Sequence, residues 1–274
     1  MVAEKNIRGA RINGTFSSFV TSKYRLLTNV PIAIASAIGV AIIPNVVQVF
    51  ARKEYDQIHM KVEQAVKFNM LIAIPCAVGM GVLAQPIMQL MFPDTVESVT
   101  MSANMMKIGA ASIVFFAYST TTNSILQAVN RMRFPVIHGL ISLAVYLVLD
   151  YVLLSFTPLG VYALVIGNMV FPLVISILNW LAIRRELDYR QEVMKTFLRT
   201  GLSAGCMGVI AFLAYTGCIL ICKSNAVSTI LAIGIGVFTY AVLIIVFRAV
   251  DEEELYELPK GGLLVRFAKK LHLL

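Results

Sequence analysis

Charged residues are scarce in this chain, and their scarcity excludes an ordinary soluble domain. Asp, Glu, Lys and Arg make up 14% of the 274 residues, against roughly 25% in soluble globular proteins. Hydrophobic residues make up 58%, which is too large an excess for a single soluble core of this length. The composition therefore predicts a membrane protein.

The apolar segments also lack a regular alternation of polar and apolar residues. Strands of a membrane β-barrel alternate over about ten residues, and a bilayer accepts only closed barrels or helices. The apolar runs here extend for about 20 residues, which matches a hydrocarbon core of roughly 30 Å at about 1.5 Å per residue. We predict an all-α polytopic bundle with about seven transmembrane helices. The predicted spans are 26–50, 68–91, 105–128, 135–156, 160–183, 197–222 and 227–247.

Catalytic and metal-binding patterns are equally scarce. The chain has three histidines and four cysteines, and it contains no HExxH, GxSxG or glycine-rich phosphate loop. Cys218 and Cys222 share one helix face, but no His or acidic residue lies near them in sequence to complete a metal site. The sequence therefore predicts that the protein is not an enzyme and binds no metal or cofactor.

Basic residues are distributed unevenly around the predicted spans. Between and after the spans, sixteen Lys and Arg residues fall on one side of the membrane, and only Lys107 and Lys223 fall on the other. The positive-inside rule makes the first side cytoplasmic, including the tail 248–274. Basic loops beside anionic lipid account for the net charge of +8 without a nucleic-acid partner. The first cytoplasmic loop is expected to hold Arg52, Lys53, Lys61 and Lys67.

The N-terminal segment 1–25 is the exception to this charge pattern. It carries five basic residues, yet seven spans with a cytoplasmic C-terminus place it outside. Basic residues before a first helix normally favour the cytoplasm. The conflict indicates either that a preceding helix is missing from this chain or that its N-terminal segment is atypical.

Four polar side chains within or beside the spans are candidate binding residues. Asp150 is a carboxylate inside the fourth span, a costly position that indicates either a functional site or pairing within the bundle. Asn123 and Gln127 are four residues apart in the third span and share a face. That face either lines a polar cavity or bonds a neighbouring helix. Arg25, at the mouth of the first span, either binds an anionic group such as phosphate or anchors the helix at the interface.

Proline and glycine punctuate the predicted helices. Pro86 is expected inside the second span, where an interior proline kinks a helix. In the sixth span, Gly201, Gly205 and Gly208 are expected to permit close helix contact. Kinked, closely packed helices suit a protein that changes shape around a cavity, although both residue types are common in membrane helices.

Six short segments follow one another in a characteristic order and spacing. They are YRLLTNVP at 24–31, FFAYST at 115–120, NSILQ at 123–127, LDYVLL at 149–154, LGVY at 159–162 and LPKG at 258–261. Together they resemble the C-terminal half of MOP-superfamily flippases. The branch that looks most similar contains stage V sporulation protein B and the MurJ-like lipid II flippases.

This resemblance implies two six-helix lobes that face each other across a V-shaped cavity and are followed by two further helices. The chain would supply five spans of the C-terminal lobe at 26–183 and the two additional spans at 184–247. Preceding helices would then place segment 1–25 in an extracytoplasmic loop. The missing N-terminal lobe, or a partner chain in its place, is an implied partner together with membrane lipids.

The implied function is transport of a lipid-linked sugar diphosphate of the lipid II type across the cell membrane by alternating access. Basic cavity residues hold the pyrophosphate in such flippases, and Arg25 is similar to one of them. Three other functions stay open: export of capsule or O-antigen lipid-linked units, multidrug/cation antiport, and a non-transporting or truncated membrane fragment. An antiporter needs membrane carboxylates for ion coupling, and Asp150 alone is available.

Overall fold

A computed structural model describes residues 2–52, 54–187, 194–247 and 249–250 of the chain. Side chains are described for all of these residues except 2–20, 42, 55, 56, 194 and 195. Within this part the secondary structure is helical and contains no strand. The helices are α1 (Val2–Ala51), α2 (Tyr55–Val82), α3 (Ala84–Met91), α4 (Val96–Ala128), α5 (Arg133–Phe156), α6 (Val161–Leu187), α7 (Thr200–Cys222) and α8 (Asn225–Val246). A π-helical turn, Met194–Arg199, leads into α7.

Every helix of the described part except the short α3 is long and apolar enough to cross a membrane. The predicted all-α bundle of seven spans is therefore confirmed. Large apolar side chains cover its outer surface, among them Leu140, Val148 and Tyr151 of α5, which are 63%, 65% and 70% exposed. A bilayer solvates such a surface and water does not. The tail at 251–274, predicted to be cytoplasmic, lies outside the described residues.

The bundle is built around α4, which packs against α1, α2 and α6. The α1–α4 contact is close because Gly39 has no side chain: a Cβ there would lie 3.4 Å from the Thr121 Cα atom. The α7–α8 pair packs onto the bundle chiefly through α2. By contrast, α5 packs chiefly on α6, and most of its surface remains exposed.

The second span lies earlier in the chain than the predicted 68–91. Its apolar stretch is Gln57–Val82, and a separate helix, α3, begins at Ala84. Pro86 explains the break because it has no N–H for the Val82 carbonyl, and its ring would clash with that oxygen. Pro86 lies in the first turn of α3, where backbone N–H groups have no intrahelical acceptor, so the lack of an N–H breaks no hydrogen bond of that helix. The expectation that Pro86 kinks the interior of a span was therefore wrong.

Two basic residues predicted for the first cytoplasmic loop lie within α2 instead. Lys61 donates a 2.9 Å hydrogen bond to Gln64 Oε1 one turn later, and Lys67 is only 2% exposed. The actual connection between α1 and α2 is only a few residues long, because α2 begins at Tyr55. The loop prediction was wrong because the predicted second span began only after the last charged residue, Lys67. The helix itself begins at Tyr55 and includes the charged residues that precede the apolar run.

The glycines of α7 differ in what they contact. Gly208 faces α2, where a Cβ would lie 2.7 Å from Val78 Cγ1, so the predicted close contact is present. A Cβ added at Gly201 or Gly205, however, would have no atom of the described residues within 4 Å. These two glycines line an open groove on the outer face of α7.

Candidate binding site in the helical bundle

Arg25 lies on α1 and faces α6. The preceding residue, Tyr24, is 2% exposed, and its ring packs on Gly109 of α4, where a Cβ would come within 3.1 Å of it. This contact fixes the rotation of α1 and leaves Arg25 exposed on the neighbouring face. Arg25 Nη2 donates a long hydrogen bond of 3.5 Å to Asn168 Oδ1.

Asp150 lies on α5, beside the same part of α6, and is only 8% exposed. Its Oδ1 atom has no hydrogen-bond partner among the described residues. Gly167 makes room for the carboxylate, because a Cβ at that position would overlap Asp150 Oδ1. Tyr146, one turn earlier on α5, borders the same space, because its Cε2 atom would lie 3.0 Å from a Cβ at Gly167.

We call the group formed by Arg25, Tyr146, Asp150, Gly167 and Asn168 the Arg25–Asp150 site. It combines an exposed guanidinium on α1 with a buried carboxylate on α5, and both lie beside the same stretch of α6. The guanidinium has five N–H donors. Its one hydrogen bond to a described residue is the long bond to Asn168, which leaves donors for an incoming anion. No group of three or more metal-ligating side chains occurs in the described part of the molecule.

Asn123 belongs to a second polar cluster, centred on Asn179 of α6. Asn179 Nδ2 donates to Asn123 Oδ1 at 2.8 Å and to Thr122 Oγ1 at 2.9 Å. Its Oδ1 accepts a 2.7 Å bond from His138 Nδ1 on α5, because an amide oxygen can only accept. This Asn179 cluster ties α4, α5 and α6 together in the bundle interior, where Asn179 itself is 0% exposed.

The four predicted site residues therefore fall in two places. Arg25 and Asp150 meet near Gly167, whereas Asn123 lies beside Asn179, about 18 Å further along α6 at 1.5 Å per residue. Gln127 follows Asn123 by one helical turn and is exposed. On the predicted shared face, Asn123 is therefore half-buried and hydrogen-bonded to Asn179, whereas Gln127 is exposed.

Asn69 is a connecting residue that the sequence analysis missed. It is 0% exposed, and its Nδ2 donates to the carbonyl oxygens of Ala35 at 3.2 Å and Ala117 at 3.1 Å. It also donates to Thr121 Oγ1. One amide thus joins α1, α2 and α4, and its only sequence signal is a single polar residue before a long apolar run.

A second missed feature lies two residues before Arg25. Lys23 Nζ forms an ion pair with Asp94 at 2.8 Å, donates to Ser98 Oγ at 3.1 Å and lies 5.8 Å from the centre of the Phe92 ring. The hydrogen bond from Lys23 lowers the pKa of Asp94 from 3.8 to about 2, with further contributions from the Thr95 backbone and Ser98. This Lys23–Asp94 clamp holds α1 against the α3–α4 connection.

Comparison with known proteins places this arrangement in a family. A family model described as "Lipid II flippase MurJ" matches residues 13–241. The lipid II flippase MurJ of Bacillus subtilis (strain 168) is 23% identical over 196 residues, which cover 70% of this chain and 35% of that protein. A probable lipid II flippase MurJ of Bdellovibrio bacteriovorus is 28% identical over 197 residues, covering 69% and 37%. Stage V sporulation protein B of Bacillus subtilis is 22% identical over 239 residues, covering 87% and 45%.

The chain thus spans between about a third and a half of the length of these relatives. Among solved structures, the inward closed conformation of a lipid II flippase MurJ matches with a TM-score of 0.63 at 18% identity, over 85% of this chain and 46% of that one. A MOP superfamily transporter from Pyrococcus furiosus matches with a TM-score of 0.51 at 12% identity, over 91% and 65%. These structures confirm the predicted fold, and the match of the family model over most of the chain shows that it belongs to the lipid II flippase MurJ family.

Proposed function

We propose that this chain transports a lipid-linked cell-wall precursor of the lipid II type across the cytoplasmic membrane by alternating access, as the C-terminal part of a two-lobed flippase. The family match over residues 13–241 carries this proposal. Relatives named as lipid II flippases are longer than the chain, so the other lobe would come from preceding residues or from a partner chain.

Arg25 is the residue we assign to the pyrophosphate of the substrate. It is exposed, it lies on a helix whose rotation Tyr24 fixes, and its planar fork of N–H donors matches phosphate oxygens. Its bond to Asn168 is long at 3.5 Å, so an incoming phosphate displaces little. Asn168 would orient the guanidinium from α6.

Asn123 and Gln127 have a separate role in this proposal, because they lie about 18 Å from the Arg25–Asp150 site along the bundle. Their exposed edge suits hydroxyl and amide groups of a sugar or peptide more than a phosphate. An apolar groove of about 620 Å³ along Gly201, Gly205 and Val209 of α7 suits the hydrocarbon chain of the lipid.

The direction of the chain in the membrane follows from its charges. Arg131 and the Arg184–Arg185 pair lie at one end of the bundle, at the α4–α5 turn and the last turn of α6. The positive-inside rule puts this end, and with it the C-terminus, in the cytoplasm. The Arg25–Asp150 site then lies in the outer half of the membrane, near the α5–α6 turn.

Two other transport functions remain as competing proposals. A capsule or O-antigen exporter would use the same guanidinium for its lipid-linked substrate and differ only in the sugar. A multidrug/cation antiporter would couple through Asp150. The observation in its favour is that the buried Oδ1 atom has no hydrogen-bond partner within the described part of the chain.

Binding to the purified chain tests the proposal. We expect a lipid-linked disaccharide pyrophosphate to bind more tightly than the corresponding monophosphate lipid, because a second phosphate adds charge-assisted bonds. Arg25→Gln should weaken pyrophosphate binding by about tenfold or more, the value of one charged hydrogen bond. The matched control Arg52→Gln, an exposed arginine beyond the other end of α1, should leave it unchanged.

Two results would contradict this assignment. One is equal loss of binding in the Arg25 and Arg52 variants, which would indicate general charge attraction. The other is drug efflux from reconstituted vesicles that requires Asp150 and is indifferent to Arg25, which would favour the antiporter.

A further inference from the structure

A cleft opens between the start of α5 and the end of α6, at the opposite end of α6 from the Arg25–Asp150 site. Its volume is about 270 Å³. Apolar side chains form one part of its lining, including Phe134, Leu178 and Leu181, and His138 and Arg185 form another. We call it the α5–α6 cleft. Small-molecule pockets usually measure roughly 300–1,000 Å³, so this cleft has the size of a small polar group with the adjoining carbons.

Two charged side chains of opposite sign, Arg185 and Glu186, line the cleft. The Glu186 carboxylate is paired with Arg131 at 2.7 Å. Arg185 forms no ion pair with any described residue, and its guanidinium stands at the edge of the cleft. An anionic ligand therefore meets one uncompensated guanidinium there.

His138 supplies a fixed polar atom on the inner side of the cleft. It is 8% exposed, and its ring packs 5.7 Å from that of Phe134. Its Nδ1 atom is committed to Asn179 Oδ1, so Nε2 is the nitrogen left for a ligand. Because Nδ1 carries the proton of that bond, the lone pair of Nε2 can accept a hydrogen bond from a headgroup hydroxyl.

The depth of the cleft in the membrane is marked by Trp180. This residue is 38% exposed on α6, and the Arg184 guanidinium lies 5.9 Å from the centre of its ring. Tryptophan and snorkelling arginine side chains concentrate at the level of the lipid headgroups. The polar side of the cleft therefore lies at headgroup depth, and its apolar side faces the acyl region.

We propose that the α5–α6 cleft binds the headgroup of an anionic glycerophospholipid, with the phosphate on Arg185, a headgroup hydroxyl on His138 and the glycerol carbons against Phe134 and Leu181. Basic clefts between membrane helices recognise acidic headgroups in this way. The cleft lies about 26 Å along α6 from Asn168 at 1.5 Å per residue. It is a lipid site distinct from the proposed transport site and does not depend on it.

The single tryptophan of the chain provides a direct readout. Trp180 is not itself a lining residue, but it lies on the same turn of α6 as the lining residues Leu178 and Leu181, so a brominated lipid bound in the cleft lies beside that turn and quenches its fluorescence. The full chain is reconstituted in phosphatidylcholine bilayers, and brominated phosphatidylglycerol or brominated phosphatidylcholine is added at matched mole fractions. The ratio of the two apparent binding constants measures headgroup preference. We expect a preference of at least about tenfold for phosphatidylglycerol, the value of one charge-assisted hydrogen bond.

Two neighbouring arginines provide the matched variants. Arg185→Gln should lower the preference by about tenfold, because it removes a charge-assisted hydrogen bond. Arg184→Gln removes the same charge one residue away, outside the cleft, and should lower it by about fivefold at most, the value of one interfacial charge. Unchanged quenching by brominated phosphatidylcholine shows that each variant is folded and inserted.

Three outcomes would overturn the proposal. The first is equal quenching of the wild-type chain by the two lipids. The second is an equal effect of Arg184→Gln and Arg185→Gln, which would show general surface attraction. The third is full displacement of phosphatidylglycerol by millimolar glycerol phosphate, which would make the cleft a site for a free anion.

Discussion

At the scale of single residues, Gly167 decides where the Asp150 carboxylate sits. A Cβ at this position would overlap Asp150 Oδ1, so Gly167→Ala must displace the carboxylate or separate α5 from α6. We expect a loss of about 1–3 kcal/mol in the free energy of unfolding, as for other overpacked sites. Denaturation in mixed micelles measures it.

Gly139, on α5, is the control for this substitution. No atom of the described residues lies within 4 Å of a Cβ there, so Gly139→Ala should be neutral or stabilising by up to about 1 kcal/mol through helix propensity. If the Gly167 variant is as stable as the Gly139 variant, the tight placement of Asp150 is wrong.

Asn179 should matter more than any one of its partners. Asn179→Leu removes three interhelical bonds, and at roughly 0.6 kcal/mol for each membrane bond the loss in unfolding free energy is about 2 kcal/mol. Asn123→Ala removes only one of the three and should cost about a third as much. Equal losses in the two variants would show that the amide is not the centre of the cluster.

At the scale of helices, the Lys23–Asp94 clamp predicts a pH dependence. The pKa of Asp94 is lowered from 3.8 to about 2, so the folded state favours the charged carboxylate. The stabilisation is complete above about pH 4 and disappears as the pH falls toward 2. The unfolding temperatures of wild type and Asp94→Asn should therefore differ at neutral pH and converge as the pH approaches 2.

Glu97 provides the matched control for this experiment. It is an exposed carboxylate in the first turn of α4, and Glu97→Gln changes the net charge by the same amount. Its unfolding temperature should stay close to that of wild type throughout. A difference between wild type and Asp94→Asn that persists unchanged to pH 2 would contradict the clamp.

The helices were predictable because the bilayer fixes their length, whereas their contacts were not. Pro86 ends α2 through its missing donor, but the sequence does not reveal whether such a proline kinks a helix or divides it. Gly201, Gly205 and Gly208 look alike in sequence, yet among the described residues only Gly208 meets a neighbouring helix. The pairing of Asn179 with His138 joins residues 41 positions apart, and such pairs depend on tertiary packing.

At the scale of the whole molecule, the proposed orientation predicts which ends of α5 are accessible from each side. Met132 is 62% exposed at one end, and Pro158 is exposed at the other. In a background without native cysteines, Met132→Cys should react with an impermeant maleimide only from the cytoplasm and Pro158→Cys only from outside. The reverse labelling would invert the proposed topology.

The candidate site was only partly predictable, for a related reason. Asp150 is predictable from the cost of a carboxylate in a membrane and Arg25 from the match of a guanidinium to phosphate at the mouth of a span, and the fold places both beside Gly167 and Asn168. Tyr146 and Asn168 complete that site, but on their own helices they are ordinary polar residues. The sequence resembles its family through the order and spacing of its motifs. That order reflects the arrangement of the helices and does not identify individual side chains of the site.

The proposed transport of a lipid-linked cell-wall precursor can be measured by depleting the chain in living cells. The measured quantity is the fraction of lipid II accessible to an enzyme added outside the cells. We expect this fraction to fall on depletion, to recover with the wild-type chain and to recover poorly with the Arg25→Gln chain. An outside fraction that stays constant throughout depletion would show that the chain does not move this precursor.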